Sequence, residues 1–467
     1  MELFGRTHTP DAKRAVIDLV AVEPGKLDQI SGLNSAQKTW MTAHNFVGNI
    51  GQVCKIPQDD GSLAMVLFGW HTHADIWDFA AVIQQLPEAQ YRIDQTSITQ
   101  DDLKKFARVW GLFCYRFSRY KPSKNPHPVL LIDQLSKKTQ FELNCLMTGA
   151  YHIRNWINTP AEDFGPEDLS DICSALAKKH QANYTEIVGD ELLERNYPLI
   201  HAVGRASARA PRMLCLRWGK PEHPLLALVG KGVCFDTGGV QVKPHNAMQT
   251  MKKDMGGAAH MIALAELIMS TKLPVSLCLW VAAVDNSISG NAFLPGDVFT
   301  SRSGLTVEIG HTDAEGRLVL ADLLTAASED NPSCIIDYGT LTGAQRVALG
   351  MELPGFFCNN PKHAHALVET SMRNDDPLWP LPLFKPYERQ IESDIADLSS
   401  TGKSPFGGAI TAALFLQHFV KCDADWLHID ASCYNDSSRP GRPKGGEAMG
   451  LDALYHWIKE SFCPGHH

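Results

Sequence analysis

The 467-residue sequence is short of three things: paired cysteines, long apolar runs and basic tracts. Its 12 cysteines stand singly, at positions such as Cys54, Cys145, Cys234 and Cys334, with no C-x-x-C pair. That excludes a dense disulfide framework and leaves reduced thiols in a cytoplasmic protein as the expectation. Residues 1–20 carry Arg6, Asp11, Lys13 and Arg14 among their apolar side chains, so no export signal is expected there. The longest apolar stretch, 273–284, is too short to cross a bilayer as a helix and reads as a buried strand. Net charge is −9, and the only local basic run, 116–124, falls in a proline-containing stretch. Neither nucleic acid nor a membrane is therefore an expected partner.

What is present suits a folded chain of more than one domain. Hydrophobic residues make up 44% and charged residues 20%, an ordinary globular balance, and the length exceeds what one core usually supports. Residues 1–136 read as a smaller N-terminal α/β domain, with a strand at 63–70 and a helix at 101–120. Two prolines break the pattern at 123–128. A strand at 129–133 and a long helix at 137–157 follow, and that helix connects to the rest of a 137–467 catalytic domain. Strand candidates at 225–229, 275–284, 306–309, 334–338 and 426–429 alternate with helical stretches, which predicts an α/β fold with a mostly parallel sheet flanked by helices. In such sheets ligands bind beyond the carboxyl ends of the strands.

Three segments follow those strands. Gly230-Lys231-Gly232 leads to Asp236, Thr237-Gly238-Gly239 and Lys243; its spacing is not that of a phosphate loop, and no helix pattern opens directly behind it. Met251-Lys252-Lys253-Asp254 enters a helical run, with Asp254 where an N-cap would stand. His311-Thr312-Asp313-Ala314-Glu315-Gly316-Arg317 enters another, and Thr312 with Glu315 fits a capping box. Caps leave Asp313, Arg317, Lys231, Asp236 and Lys243 unexplained. If the strands pack side by side, Asp236, Asp254, Asp313 and Glu315 converge on one rim, where like charges about 4 Å apart cost roughly 4 kcal/mol per pair at an effective dielectric near 20. Two divalent cations, about 3.5 to 4 Å apart, balance four carboxylates and suit hydrolysis. A lysine so close to metal would have its pKa driven down and could ligate as a neutral amine, leaving Lys243 and Arg317 as free cations for an anion or an oxyanion.

In order and spacing these segments resemble those of the leucyl aminopeptidase family, the M17 metallopeptidases. Asn158-Thr159-Pro160, Val203-Gly204-Arg205, Leu341-Thr342-Gly343, the 407–413 run and Trp426-Leu427-His428-Ile429-Asp430 extend the likeness to the end of the chain. The resemblance implies one metal held by Asp236, Asp313 and Glu315 and a second held by Lys231, Asp236, Asp254 and Glu315, with zinc or manganese as the ions. It implies a bicarbonate at Arg317 acting as general base, and Lys243 polarising the scissile carbonyl. The substrate's free α-amine would bind on the Lys231 side, and the first side chain would lie among Met251, Thr340 and Gly343, with the Leu341 carbonyl contacting the substrate. Met251 favours apolar first residues such as leucine. The implied assembly is a homohexamer acting on peptides. One departure stands out: the family has Asn where this chain has His311, either a ligand or, as we expect, a support for Asp313 without ligation. Two other functions use some of the same residues, a two-metal phosphoesterase and a binding or assembly protein that keeps the fold without catalysis. The lysine in the ligand pattern argues against the first, and the complete set of seven polar residues against the second.

Overall fold

The structure, a computed structural model, describes residues 15–71, 75–94, 98–122, 128–463 and 465. Contacts divide the chain into two units. One comprises Met1–Tyr151 with Ser437–Lys444, and the other His152–Asp436 with Gly445–His467. The division falls within the long helix Lys137–Asn158.

The first unit holds a five-stranded sheet in the order Val53–Pro57, Leu63–Gly69, Val16–Val22, Gln90–Ile93, Val129–Leu130, parallel except for the first pair. Phe68, Phe79, Phe106 and Trp110 stack at its core. The helix expected at 101–120 runs only over Gln100–Cys114. Thr99 and Asp102 cap its start reciprocally, and Tyr115 turns extended at its end, where Arg116 Nη1 donates to the Phe113 and Tyr115 carbonyls. All 12 cysteines are unpaired, and among the described residues no helix is long and apolar enough to cross a membrane.

The second unit is built on an eight-stranded sheet, ordered Trp379–Pro380, Gly355–Cys358, Asp425–Asp430, Cys334–Gly339, Leu225–Asp236, Ser276–Asn286, Arg212–Trp218, Asn183–Val188. The four strands from Asp425–Asp430 to Ser276–Asn286 are mutually parallel, and antiparallel pairs flank them. The strand expected to stop at 229 continues to Asp236, because its pairing with Ser276–Asn286 carries on through Lys231↔Ala282 to Asp236↔Asn286. Gly230 and Gly232 are thus strand residues and not a loop.

Their smallness sets the packing. A Cβ on Gly230 would stand 2.6 Å from Cα of Ala258, in the helix Gly256–Thr271, while a Cβ on Gly316, in the helix Glu315–Ser328, would stand 2.5 Å from Cε of Lys231. Consecutive strand residues point to opposite faces, so the two helices cover opposite faces of the central strands. Both helices are buried over nearly their whole circumference, the first almost wholly apolar and the second with Glu315, Arg317 and Asp322 among its buried residues. The closest approach is at Gly257, whose absent Cβ would lie 2.0 Å from the Tyr338 carbonyl oxygen. Gly257→Ala is therefore expected to lose about 1–3 kcal/mol or more of stability, read as a lower urea midpoint at unchanged slope. A midpoint within error of the parent would show that helix and sheet have room to part.

Candidate active site

The carboxyl ends of the central strands carry the polar residues. Asp236 closes its strand opposite Asn286; its Oδ1 accepts from Asn286 Nδ2 (2.8 Å) and from the Gly238 N–H (2.8 Å). Asn286 also donates to the Thr312 carbonyl (3.0 Å), joining two of the three segments. Lys231 extends from the same strand past Gly316, and its Nζ meets Asp254 Oδ2 at 2.8 Å and Glu315 Oε1 at 2.9 Å. Lys243 Nζ meets Asp236 Oδ2 at 2.7 Å and Asp313 Oδ1 at 2.5 Å. The structure thus gathers Lys231, Asp236, Lys243, Asp254, Asp313 and Glu315 in one cluster, with Arg317 one helical position beyond Gly316.

The capping alternatives do not hold. Met255, not Asp254, precedes the helix Gly256–Thr271, and Asp254 Oδ1 instead accepts from Thr340 Oγ1 at 2.6 Å. Ala314 precedes the helix Glu315–Ser328 with no side-chain cap; Thr312 Oγ1 donates to the Gly238 carbonyl (2.6 Å) and accepts from the Gln241 N–H, while Glu315 turns to Lys231. The 311–314 segment is a turn. His311 is exposed and its Nδ1 accepts the Asp313 backbone N–H at 3.0 Å.

Lys231, Asp236 and Asp254 are each 2% exposed and Glu315 1%. Burial, then the Asp254 charge, pushes Asp236 up to about 6, and burial, then the Asp236 charge, pushes Glu315 up to about 8. Burial acts the same way on Asp254, but Lys231, Lys253 and Lys243 together outweigh it and hold that carboxyl below its ordinary value. Burial alone would lower both lysines; the surrounding carboxylates instead raise them. Four carboxylates here face two ammonium groups. One oxygen each from Asp236, Asp313 and Glu315 lies within 4.8 Å of the others, and Glu315 Oε2 is buried without a hydrogen-bond partner. Hard carboxylate oxygens with an unmet charge fit a divalent cation. Arg317 donates through Nη1 to the Ser400 carbonyl (2.7 Å), its Nε is buried without a partner, and burial lowers it to about 10. Those free donors fit a small planar anion.

The other expected residues lie along the same rim. The Met251 carbonyl accepts the Asp254 N–H, Thr340 bonds Asp254, and Leu341 and Thr342 donate their N–H groups to Asp430 Oδ1 at 2.9 and 3.2 Å. Gly343 is exposed at the start of the helix Gly343–Leu349. Sequence reasoning missed Asn286, Asp430, Ser400 and Lys253 as parts of this region. Asn286 carried a signal, a polar residue closing a buried apolar strand, and Asp430 and Lys253 stand in segments already singled out; Ser400 carried none. Lys253 is 3% exposed, and burial pushes it down to about 8. The cavity of about 490 Å³ lined by Ile83, Phe113, Arg116, Pro128 and Arg439 belongs to the first unit and has no carboxylate, thiol or imidazole in its wall.

The profile of the cytosol aminopeptidase family catalytic domain matches residues 151–455, and that of the M17 aminopeptidase N-terminal domain matches residues 17–132. The chain is 43% identical over 333 residues to Peptidase B of Pectobacterium atrosepticum, covering 69% of this chain and 76% of that one. The crystal structure of the cytosol aminopeptidase from Coxiella burnetii aligns with a TM-score of 0.91 at 40% identity, over 96% of this chain and 98% of its own. The bottromycin maturation enzyme BotP in complex with Mn aligns at 0.83 and 28% identity, over 95% and 99%.

The raised carboxyls have a consequence for stability. From about pH 4, where such groups ionise in an unfolded chain, to about pH 8, the folded state keeps protons at Asp236 and Glu315 that the unfolded state releases. Their contribution is present below that window and is lost as pH rises through it. In chelator, the melting temperature is expected to fall from about pH 5 to about pH 8, and Glu315→Gln should flatten the fall. An equally steep fall in Glu315→Gln would place the proton elsewhere.

Proposed function

The chain belongs to the cytosol aminopeptidase family, the M17 peptidases, and from that footing we propose that it cuts the N-terminal bond of peptides at a two-cation site. It is a peptide hydrolase by family; the finer reading rests on one observation, the convergence of Asp236, Asp313 and Glu315 beside the Lys231–Asp254 pair. Asp236, Asp313 and Glu315 would hold one ion, and Lys231, Asp236, Asp254 and Glu315 the other, zinc or manganese. When bound, the two ions supply Lewis-acid polarisation of the carbonyl and of water. The Mn reported with BotP supports a manganese-competent site.

The chain's own residues account for the remainder. Asn286 and the Gly238 N–H fix Asp236 Oδ1, so that its Oδ2 faces Lys243. The Lys243 ammonium, paired with Asp236 and Asp313, is the group to polarise the scissile carbonyl and steady its developing charge. Arg317, pinned at Nη1 by Ser400, offers its remaining donors to a bicarbonate that serves as general base. Asp430 holds the 340–343 loop, which would align the peptide through the Leu341 carbonyl and, with Met251, Thr340 and Gly343, receive an apolar first side chain such as leucine. His311 supports the Asp313 turn without ligating. A cytoplasmic homohexamer completes the reading.

The test is hydrolysis of aminoacyl coumarin amides by chelated protein after return of zinc, manganese, magnesium or cobalt. Asp236→Ala and Glu315→Ala are expected to abolish activity. Lys243→Ala and Arg317→Ala should lower kcat by about 100- to 1,000-fold with metal content kept, and His311→Asn should keep both ions. Loss of both ions in the Lys243 or Arg317 variant would undo this division of roles. Light scattering on the metal-loaded protein should show a hexamer; a fully active monomer would remove the assembly from the reading.

A further inference from the structure

Two of the 12 unpaired cysteines touch. Cys215 lies on the strand Arg212–Trp218 and Cys278 on the strand Ser276–Asn286, and their sulfurs stand 3.7 Å apart. Antiparallel pairing sets Cys215 opposite Trp280 and Arg217 opposite Cys278, so the two cysteines are diagonal neighbours on one face of the sheet. Cys215 is 5% exposed and Cys278 is wholly buried. Solvent still comes close: the Arg217 guanidinium lies over the Trp280 ring, donates to Asp330 Oδ2 at 2.8 Å, and belongs to a side chain 45% exposed. The pair is separate from the carboxylate cluster, which gathers at the carboxyl ends of the central strands, whereas Cys278 stands near the amino end of its own.

A thiolate, and not a thiol, reacts with oxidants. With the Cys278 thiol donating to it and Arg217 beside it, the Cys215 sulfur is held below the ordinary thiol range against the effect of burial, while the same bond and burial push Cys278 up. We propose that Cys215 and Cys278 are a reversible redox pair that peroxide closes to a disulfide, tying together the two ends of the segment that carries Lys231, Asp236, Lys243 and Asp254. The Cys215 sulfur attacks one oxygen of hydrogen peroxide, the O–O bond breaks, hydroxide leaves, and the sulfur becomes a sulfenic acid. The Cys278 sulfur then attacks that sulfur, the S–O bond breaks, and a second hydroxide leaves. The two thiol protons turn both hydroxides into water, and the two electrons lost by the sulfurs are those gained by the peroxide. Diagonal neighbours stand about 7 to 8 Å apart at Cα, just past the usual span of a disulfide, so the bond forms under strain and is readily reduced again. While closed, it restricts the unfolded chain and so steadies the fold around those four residues, with or without metal.

Metal-loaded full-length protein is treated with hydrogen peroxide, its remaining thiols are alkylated, and its peptides are mapped by mass spectrometry. A Cys215–Cys278 linked peptide is expected, and dithiothreitol should abolish it. The bridged protein should unfold at a higher urea concentration and with a shallower slope than the reduced protein, because a cross-linked unfolded chain exposes less surface. Cys278→Ser should instead leave Cys215 as a sulfenic acid that dimedone traps, with no shift in midpoint. Peptide mapping of the parent protein decides the matter even where that variant fails to fold. Both thiols still free for alkylation at a peroxide dose that converts the exposed Met372 to its sulfoxide would overturn the proposal. So would a bridge to Cys173, which is within electrostatic reach of Cys215, or a Cys215–Cys278 bridge that leaves the midpoint unchanged. None of these outcomes bears on the aminopeptidase reading, which the pair does not use.

Discussion

The site depends on a lysine threaded through a layer of packing that has no room for anything larger than hydrogen beside it. Lys231 leaves a central strand, passes where Gly316 has no side chain, and brings its ammonium between Asp254 and Glu315, which lie on segments from opposite faces of the sheet. Each of those carboxylates would be prohibitively placed in the interior alone. The lysine, the Asn286 amide and the Thr340 hydroxyl together make the placement tolerable, and they do so only if strand and helices close to the distances that glycine permits. Chemistry and packing here are one constraint seen from two sides.

That coupling explains what was legible in the sequence. The strand–helix alternation and the buried apolar runs are local patterns, and the two α/β units with a largely parallel central sheet follow from them. Asp236 was legible because it ends an apolar strand, and Asp254, Asp313 and Glu315 because they stand in short segments that lead into helical runs, where an α/β sheet collects its ligands. Local pattern also misled: Thr312 with Glu315 reads as a capping box, but tertiary partners claim both side chains. The strand expected to end at 229 runs on through Gly230 and Gly232, and Gly230 lets a helix approach, a fact written in the 256–259 segment and not in its own. Ser400 was illegible because it acts through its backbone carbonyl.

The contrast between Lys231 and Lys253 shows how little identity says about role. Both are buried lysines within a few residues of a site carboxylate. Lys231 is held charged by three carboxylates, while burial, only partly offset by Asp254, pushes Lys253 down to about 8. Environment separates a group that joins two site carboxylates from one that burial drives toward neutrality.

The parallel register of the central strands also bears on how the molecule comes to exist. Parallel neighbours cannot be joined by a tight turn, so the strands ending at Asp236, Asn286, Gly339 and Asp430 are paired across long crossovers, and the site residues are drawn from almost 200 positions of chain, from Lys231 to Asp430. Contacts of such sequence separation form late and slowly, after most of the loop-closure entropy has been spent. No fragment of the chain contains the carboxylate cluster in advance. A cation that binds those groups therefore favours the assembled fold over any unassembled chain, because only the fold brings its ligands together.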